Sequence, residues 1–212
     1  MPEIPKPPKI NIYHNNKTIP EDSPPFLKIE RKVLTASYPD GSSSASFIHD
    51  GVIRRLMDAV GIVVHCEQSG VRCIYLRSCV RPNLLDRFPE DVNLWEIAAG
   101  LIEAGEEPLV SAVREVEEEL GFKTNTSQYK PLGPYILSSP GLGSERLFLY
   151  EVEVDPSAQG KPSEDGGPLE RGGIAQQVSL DTALKAAKSG FFKDTKTEVA
   201  IRRFADRWHK SC

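Results

Sequence analysis

Residues 100–122 read GLIEAGEEPLVSAVREVEEELGF. Pro108 stands where a first helical turn should begin, and Gly121 stands just past where the last should end, which is the usual punctuation of a helix. Between them Leu109, Ala112, Val113, Val116 and Leu120 recur at helical spacing and form one apolar stripe. The spacing predicts a helix over 108–120. At about 100° per residue, Glu115, Glu118 and Glu119 cluster on a neighbouring face, whereas Glu117 points towards Val110. Glu115 and Glu119 lie one turn apart. Acidic groups are badly placed near a helix C-terminus, where the dipole is already negative, and like charges at this spacing repel. A hard divalent cation such as Mg²⁺ would offset both costs, because it takes oxygen ligands and bridges carboxylates to phosphates.

The same stretch fits the pattern G-x5-E-x7-R-E-U-x-E-E-x-G-U, where U is a bulky apolar residue. Gly100, Glu106, Arg114, Glu115, Glu118, Glu119 and Gly121 fill the fixed positions, and Val116 and Phe122 fill the apolar ones. At residue frequencies of roughly 7% each, a chance match in a chain of this length is on the order of one in ten million. The pattern is the Nudix box, and the chain resembles the Nudix hydrolases, which cleave a nucleoside diphosphate linked to a further group. LWEIAAG leading into the box, the strand ending in Arg81-Pro82, the SSPGLGSER loop and the closing helix pair resemble the ADP-ribose and nucleoside diphosphate sugar pyrophosphatases. The resemblance covers residues 58–210.

Outwards from the box the chain reads as an α+β fold. Ala59–Cys66 and Val71–Leu76 are β-branched apolar runs around the turn-like EQSG, Asn93–Ala99 is another strand, and Tyr135–Ser138 and Leu147–Val154 follow. Residues 159–173 read as a loop, and Leu180–Lys188 and Thr195–Lys210 as helices. The resemblance implies a mixed β-sheet sandwiched between helices. Upstream, residues 1–25 hold seven prolines and read as an extended arm. Two β-prone runs around Pro39-Asp40-Gly41 predict a hairpin over 26–54. Residues 1–56 are thus an arm and hairpin too small for a core of their own, ahead of a hydrolase domain over 57–212. The resemblance implies that the hairpin packs across a homodimer.

Composition removes several classes of function. The 212 residues carry a net charge of −4, so no basic surplus exists to neutralise a nucleic-acid backbone, and no nucleic-acid partner is expected. No apolar run approaches the roughly 20 residues that span a bilayer. MPEIPKPPKI lacks the apolar core of a signal peptide, so a cytoplasmic setting is expected. Cys66, Cys73, Cys79 and Cys212 show neither paired spacing nor histidine partners; they read as reduced strand thiols rather than a zinc site. His14, His49, His65 and His209 show no catalytic arrangement.

The resemblance assigns roles. Glu115 and Glu119 are implied as the central metal ligands, joined by Glu118 and the backbone carbonyl of Ala99, for Mg²⁺ or alternatively Mn²⁺. Arg114 is implied as the residue that orients the carboxylates, Glu118 as a further ligand or water-orienting group, and a loop carboxylate, Glu170 or Glu164, as the base. Arg81, Glu96, Gly100 and Glu145 fall on substrate-binding positions. From the residues alone Glu96 has two readings, a solvated strand edge or a group that holds the box loop or the substrate, and Trp95 reads as core. Two features depart from the subfamily: Pro140 lies further past the box than usual, and two glycine pairs disturb the loop around Glu164, Asp165 and Glu170. The implied reaction is hydrolysis of a nucleoside diphosphate sugar, ADP-ribose first and GDP-mannose or ADP-glucose next. Alternatives are a Nudix hydrolase of dinucleoside polyphosphates or RNA caps, and a non-enzymatic nucleotide-sugar sensor.

Overall fold

The computed structural model describes residues 3–15, 25–163, 167–169 and 171–211, with side chains as far as residue 208. Ten strands and three helices follow in order: β1 Leu27–Leu34, β2 Phe47–Arg54, β3 Ala59–Gln68, β4 Val71–Val80, β5 Asn93–Glu96, β6 Ala98–Leu101, α1 Pro108–Leu120, β7 Tyr129–Pro131, β8 Ile136–Leu137, β9 Arg146–Glu153, β10 Ala175–Ser179, α2 Leu180–Lys188 and α3 Thr195–Ser211. β1 and β2 form a separate antiparallel hairpin. The other eight strands make one sheet with the central order β10-β4-β3-β9-β7. It is mixed, because β3 runs parallel to β9 and antiparallel to β4.

The sheet is buried on both faces, and strand alternation divides its core in two. Val60, Ile62, Val64 and Cys66 of β3 pack with Ala112, Val116 and Leu120 of α1 and with Phe122. Val63, Ile74 and Leu76 pack the opposite way, against Ala183, Ala187, Ile201 and Phe204 of α2 and α3. This explains the unbroken apolar run in β3: a strand covered on both sides has no polar face. The helix-sheet-helix sandwich expected from the sequence is the one observed.

β3 and β4 pair only through residues 65–68 and 71–74. They then splay, and β6 lies along the start of β3 while β5 lies along the end of β4. The single strand expected over 93–99 is therefore two, because the chain steps from one side of this wedge to the other. Ile97 makes the step: its side chain enters the α2/α3 core and its N–H donates to Thr197 Oγ1 at 3.0 Å. Two strands have little signal in the sequence. β7 is short and ends in Pro131, and β10, with AQQVS, is poor in strand formers; pairing to β9 and β4 creates them.

The arm and hairpin behave differently from each other. Residues 3–15 have no regular structure, yet they dock on the rest of the chain. Ile4 is buried, Trp95 Nε1 donates to the Pro5 carbonyl at 2.7 Å, and Ile10 exchanges two hydrogen bonds with the Asn93 side chain. Trp95 is core, as expected. The hairpin pairs Leu27 with Arg54 through to Leu34 with Phe47. It leaves Ile29, Val33 and Ile48 between 65% and 75% exposed, so it buries little apolar surface against its own chain. No helix among the described residues is long and apolar enough to cross a membrane. Cys66 and Cys73 are buried free thiols and Cys79 is a half-buried one; Cys212 lies outside the described residues.

His65 has the structural role expected of it. It is buried, stacks on Phe204 with ring centroids 4.6 Å apart, and lies 3.1 Å from Arg72 Nη1. Burial, and then the Arg72 charge, hold its pKa down to about 4, against 6.5 when unfolded. The folded state therefore resists the proton that the unfolded chain accepts, and stability falls as pH drops from 6.5 towards 4. Urea unfolding at pH 7 and pH 5 should show wild type losing about 2 kcal/mol more than His65→Gln over that interval; equal losses would contradict this account.

Candidate active site

The wedge between β3 and β4 brings β6 beneath α1. Glu115 and Glu119, at i and i+4, are both 7% exposed and face the Ala99–Gly100 backbone. Ala99 N–H donates to Glu119 Oε2 at 2.9 Å. A Cβ on Gly100 would overlap the Glu115 carboxylate, so this position requires glycine for the approach. Gly121 ends α1 in the left-handed region at φ 76° and donates to the Glu117 carbonyl.

Arg114 joins the carboxylates. Its Nη1 donates to Glu115 Oε1 at 2.7 Å and to Glu118 Oε2 at 3.0 Å. Nε and Nη2 grip Glu106 at 3.2 and 3.1 Å, and Nη2 also reaches the Leu101 carbonyl and Ser111 Oγ. The hydrogen bonds from Arg114 hold the Glu106 carboxyl below its usual range, against the upward push of burial. One guanidinium thus holds three carboxylates in register.

Arg77 was not singled out by sequence reasoning. It is 2% exposed, and its Nη1 donates to the Glu119 carbonyl at 2.6 Å, with Nε 3.9 Å from Glu119 Oε1. The available signal was an arginine inside the apolar run CIYLRSCV, where a buried charge must be paired. By strand alternation Arg77 and Cys79 share the α1 side of the sheet, and Arg81 follows just beyond β4. Burial first, and then the charges of Glu96 and Glu119, push the Cys79 thiol pKa up.

Glu96 is not at a solvated strand edge; its partners are Arg81 and Lys196 rather than the box loop. It is 1% exposed and accepts from Arg81 Nε and Nη2, both at 2.6 Å, and from Lys196 Nζ. Burial would raise its pKa; the Arg81 hydrogen bonds and the Lys196 charge outweigh that and hold it at about 2. Lys196 also pairs with Asp194 at 2.9 Å. Lys196 and Thr197 escaped sequence reasoning, since nothing in FKDTKTE marks them. Glu145 sits elsewhere. It pairs with Arg54 beside a small cavity of about 120 Å³ at the foot of the hairpin, lined also by Leu27, Met57, Ser139 and Leu142.

The loop after β9 starts from the end of α1. Gln159 Nε2 donates to the Leu120 carbonyl at 3.0 Å, and Gly160 N–H to the Gly121 carbonyl at 2.9 Å. It returns at Ile174, which exchanges two 2.9 Å hydrogen bonds with Ser78. Glu164, Asp165 and Glu170, the candidate loop acids, lie outside the described residues.

The donor set suits a hard divalent ion. The carboxylate oxygens of Glu115 and Glu119 converge on a backbone segment, and such hard oxygen donors match such an ion. Among the described residues no three acidic, histidine or cysteine side chains form a group that could hold a metal ion by themselves.

Residues 55–192 match the NUDIX domain. The chain belongs to this family. The Nudix chain is 31% identical over 116 residues to a methanol dehydrogenase activator of Bacillus methanolicus, and 32% identical over 116 residues to an ADP-ribose pyrophosphatase of Bacillus subtilis (strain 168). Each match covers 55% of this chain and 60% of the relative. An ADP-ribose pyrophosphatase of Saccharomyces cerevisiae is 31% identical over 108 residues, covering 49% of this chain and 46% of the relative. The chain therefore spans about half the length of the curated relatives it matches.

Within the Nudix box, Arg114 has the decisive electrostatic position. Removing it would take the shared cation away from three partly buried carboxylates. Arg114→Gln is expected to lower unfolding free energy by about 2 kcal/mol or more in urea titrations. Added Mg²⁺ should recover part of the loss; an unchanged midpoint in the absence of metal would refute the account.

Proposed function

We propose that the protein is a Mg²⁺-dependent hydrolase of nucleoside diphosphate sugars, with ADP-ribose as first substrate and GDP-mannose and ADP-glucose next. Mn²⁺ is the alternative ion. The observation that carries this reading is the convergence of Glu115 and Glu119 on the Ala99–Gly100 backbone. The ADP-ribose pyrophosphatases among the relatives support the choice of substrate. The products are a nucleoside monophosphate and a sugar phosphate.

Bound metal would neutralise phosphoryl oxygens and acidify water. Glu115, Glu119 and the Ala99 carbonyl would hold it, with Glu118 as a further ligand or as the group that orients water. Arg114 aims Glu115 and Glu118. Gly100, whose missing side chain admits the Glu115 carboxylate, offers its backbone to the substrate. Arg81 meets the diphosphate charge from the sheet floor, steered by Glu96. Glu145, paired with Arg54, belongs to the outer part of the substrate site. A loop acid, Glu170 or Glu164, takes the proton from the attacking water. The anchoring of residues 159–160 on the end of α1 supports that role, because the chain starts its excursion beside Glu119.

One kinetic series tests these assignments. With ADP-ribose and Mg²⁺, Glu119→Gln should leave less than about a tenth of wild-type turnover, as befits a lost metal ligand. Glu117→Gln, off the carboxylate face, should change turnover little. Glu170→Gln should lower kcat roughly a hundredfold or more, with a smaller change in KM. If Glu164→Gln alone is crippled, the base is Glu164; if both keep near-normal kcat, neither loop glutamate is the base.

We also propose that residues 1–56 are an appendage to the hydrolase domain of 57–212, that the hairpin forms a homodimer interface, and that the enzyme works in the cytoplasm. The exposed Ile29, Val33 and Ile48 support the interface, since apolar surface of this kind favours a partner. Light scattering should report a dimer for the full chain and a smaller species for a chain starting near Leu56. A monomeric full chain would exclude it.

A further inference from the structure

The network at the start of α3 joins two cations, Arg81 and Lys196, to two anions, Glu96 and Asp194. Three of the four are withdrawn from water: the side chains of Glu96, Lys196 and Asp194 are 1%, 14% and 20% exposed. Arg81, at 48%, is the one that faces outwards. Glu96 spends both oxygens on the pair of cations. Oε1 accepts from Arg81 Nε, and Oε2 accepts from Arg81 Nη2 and Lys196 Nζ. The remaining guanidinium nitrogen, Nη1, is the one that Glu96 does not engage.

We propose that Lys196 is a charge-setting and positioning residue for substrate binding: by sharing the Glu96 carboxylate it leaves the positive charge of Arg81 available to an incoming diphosphate. This rests on the substrate-binding role proposed above for Arg81. Without Lys196 the network carries net negative charge in a buried, low-dielectric place that salt screens weakly. An anionic substrate then approaches Arg81 against that charge. The loss falls on ground-state binding more than on chemistry, because the scissile diphosphate is handled by the α1 carboxylates.

Asp194 allows a clean separation of charge from bracing. It precedes α3, and its Oδ2 accepts from Thr197 N–H at 3.0 Å and Thr197 Oγ1 at 2.6 Å. Asparagine caps a helix about as well as aspartate. Asp194→Asn therefore removes one negative charge with the cap kept, and combined with Lys196→Met it returns the network to neutrality. A mere brace would be weakened twice by the same pair of changes.

The test uses the full chain as wild type, Lys196→Met, Asp194→Asn and the double variant. KM and kcat for ADP-ribose are measured with Mg²⁺, and ADP-ribose affinity is measured by calorimetry with metal chelated by EDTA. Lys196→Met should raise KM and the dissociation constant about tenfold while kcat stays within about threefold. The double variant should return to within about threefold of wild type, and Asp194→Asn alone should lower KM. An unchanged KM in Lys196→Met, or a defect that the double variant keeps or deepens, overturns the proposal and leaves the proposed hydrolysis standing. Should Lys196→Met fail to fold, Asp194→Asn decides alone: an unchanged or raised KM overturns it. Wild type that neither turns over nor binds ADP-ribose would remove both this inference and the proposed function.

Discussion

One guanidinium holds the site together. Arg114 reaches Glu106 from the loop before α1, Glu115 and Glu118 from the helix itself, and the Leu101 carbonyl at the end of β6. Glutamates crowded at a helix C-terminus should repel one another and the dipole. The arginine makes the cluster tolerable in the protein without a bound ion. The same bonds aim Glu115 at Gly100, where only hydrogen fits. Remove the charge and the close approach loses its purpose; add a side chain at Gly100 and the charge has nothing to aim.

The splayed sheet supplies what this contact needs from the fold. Because β3 and β4 separate after residues 65 and 74, a short strand fits against each. The loop that leaves β6 then emerges beneath α1 rather than at the sheet edge. Arg77 ties the floor to the far end of the helix through the Glu119 carbonyl. The Glu96 network ties the other side of the wedge to α3, with Ile97 crossing between them. Each helix layer thus fixes one half of the site.

Periodicity made the sandwich legible. The β3 run reads as a strand covered on both faces, and Pro108 and Gly121 bracket α1 at the residues where it begins and ends. The carboxylate site was legible for the same reason: its residues come from one contiguous stretch, and spacing along a helix fixes their direction. What escaped were contacts between distant segments. Arg77 meets Glu119 across 42 residues, and Lys196 meets Glu96 across 100; no local pattern marks either. β10 escaped because its strand form comes from pairing to β4 rather than from its side chains.

The docked arm bears on the order in which the chain assembles. Ile10 and Pro5 find their partners, Asn93 and Trp95, 83 and 90 positions downstream. Those partners leave the ribosome long after the arm does, and they exist as a surface only once β5 has paired with β4. Closing so large a loop is entropically slow. Residues 3–15 therefore settle last, over a sheet already formed. Held by a few hydrogen bonds and the Ile4 side chain, they belong to the low-stability end of the native ensemble and open first. A protease would find this segment before any other part of the β5 edge, and cutting it would bare Trp95 to water.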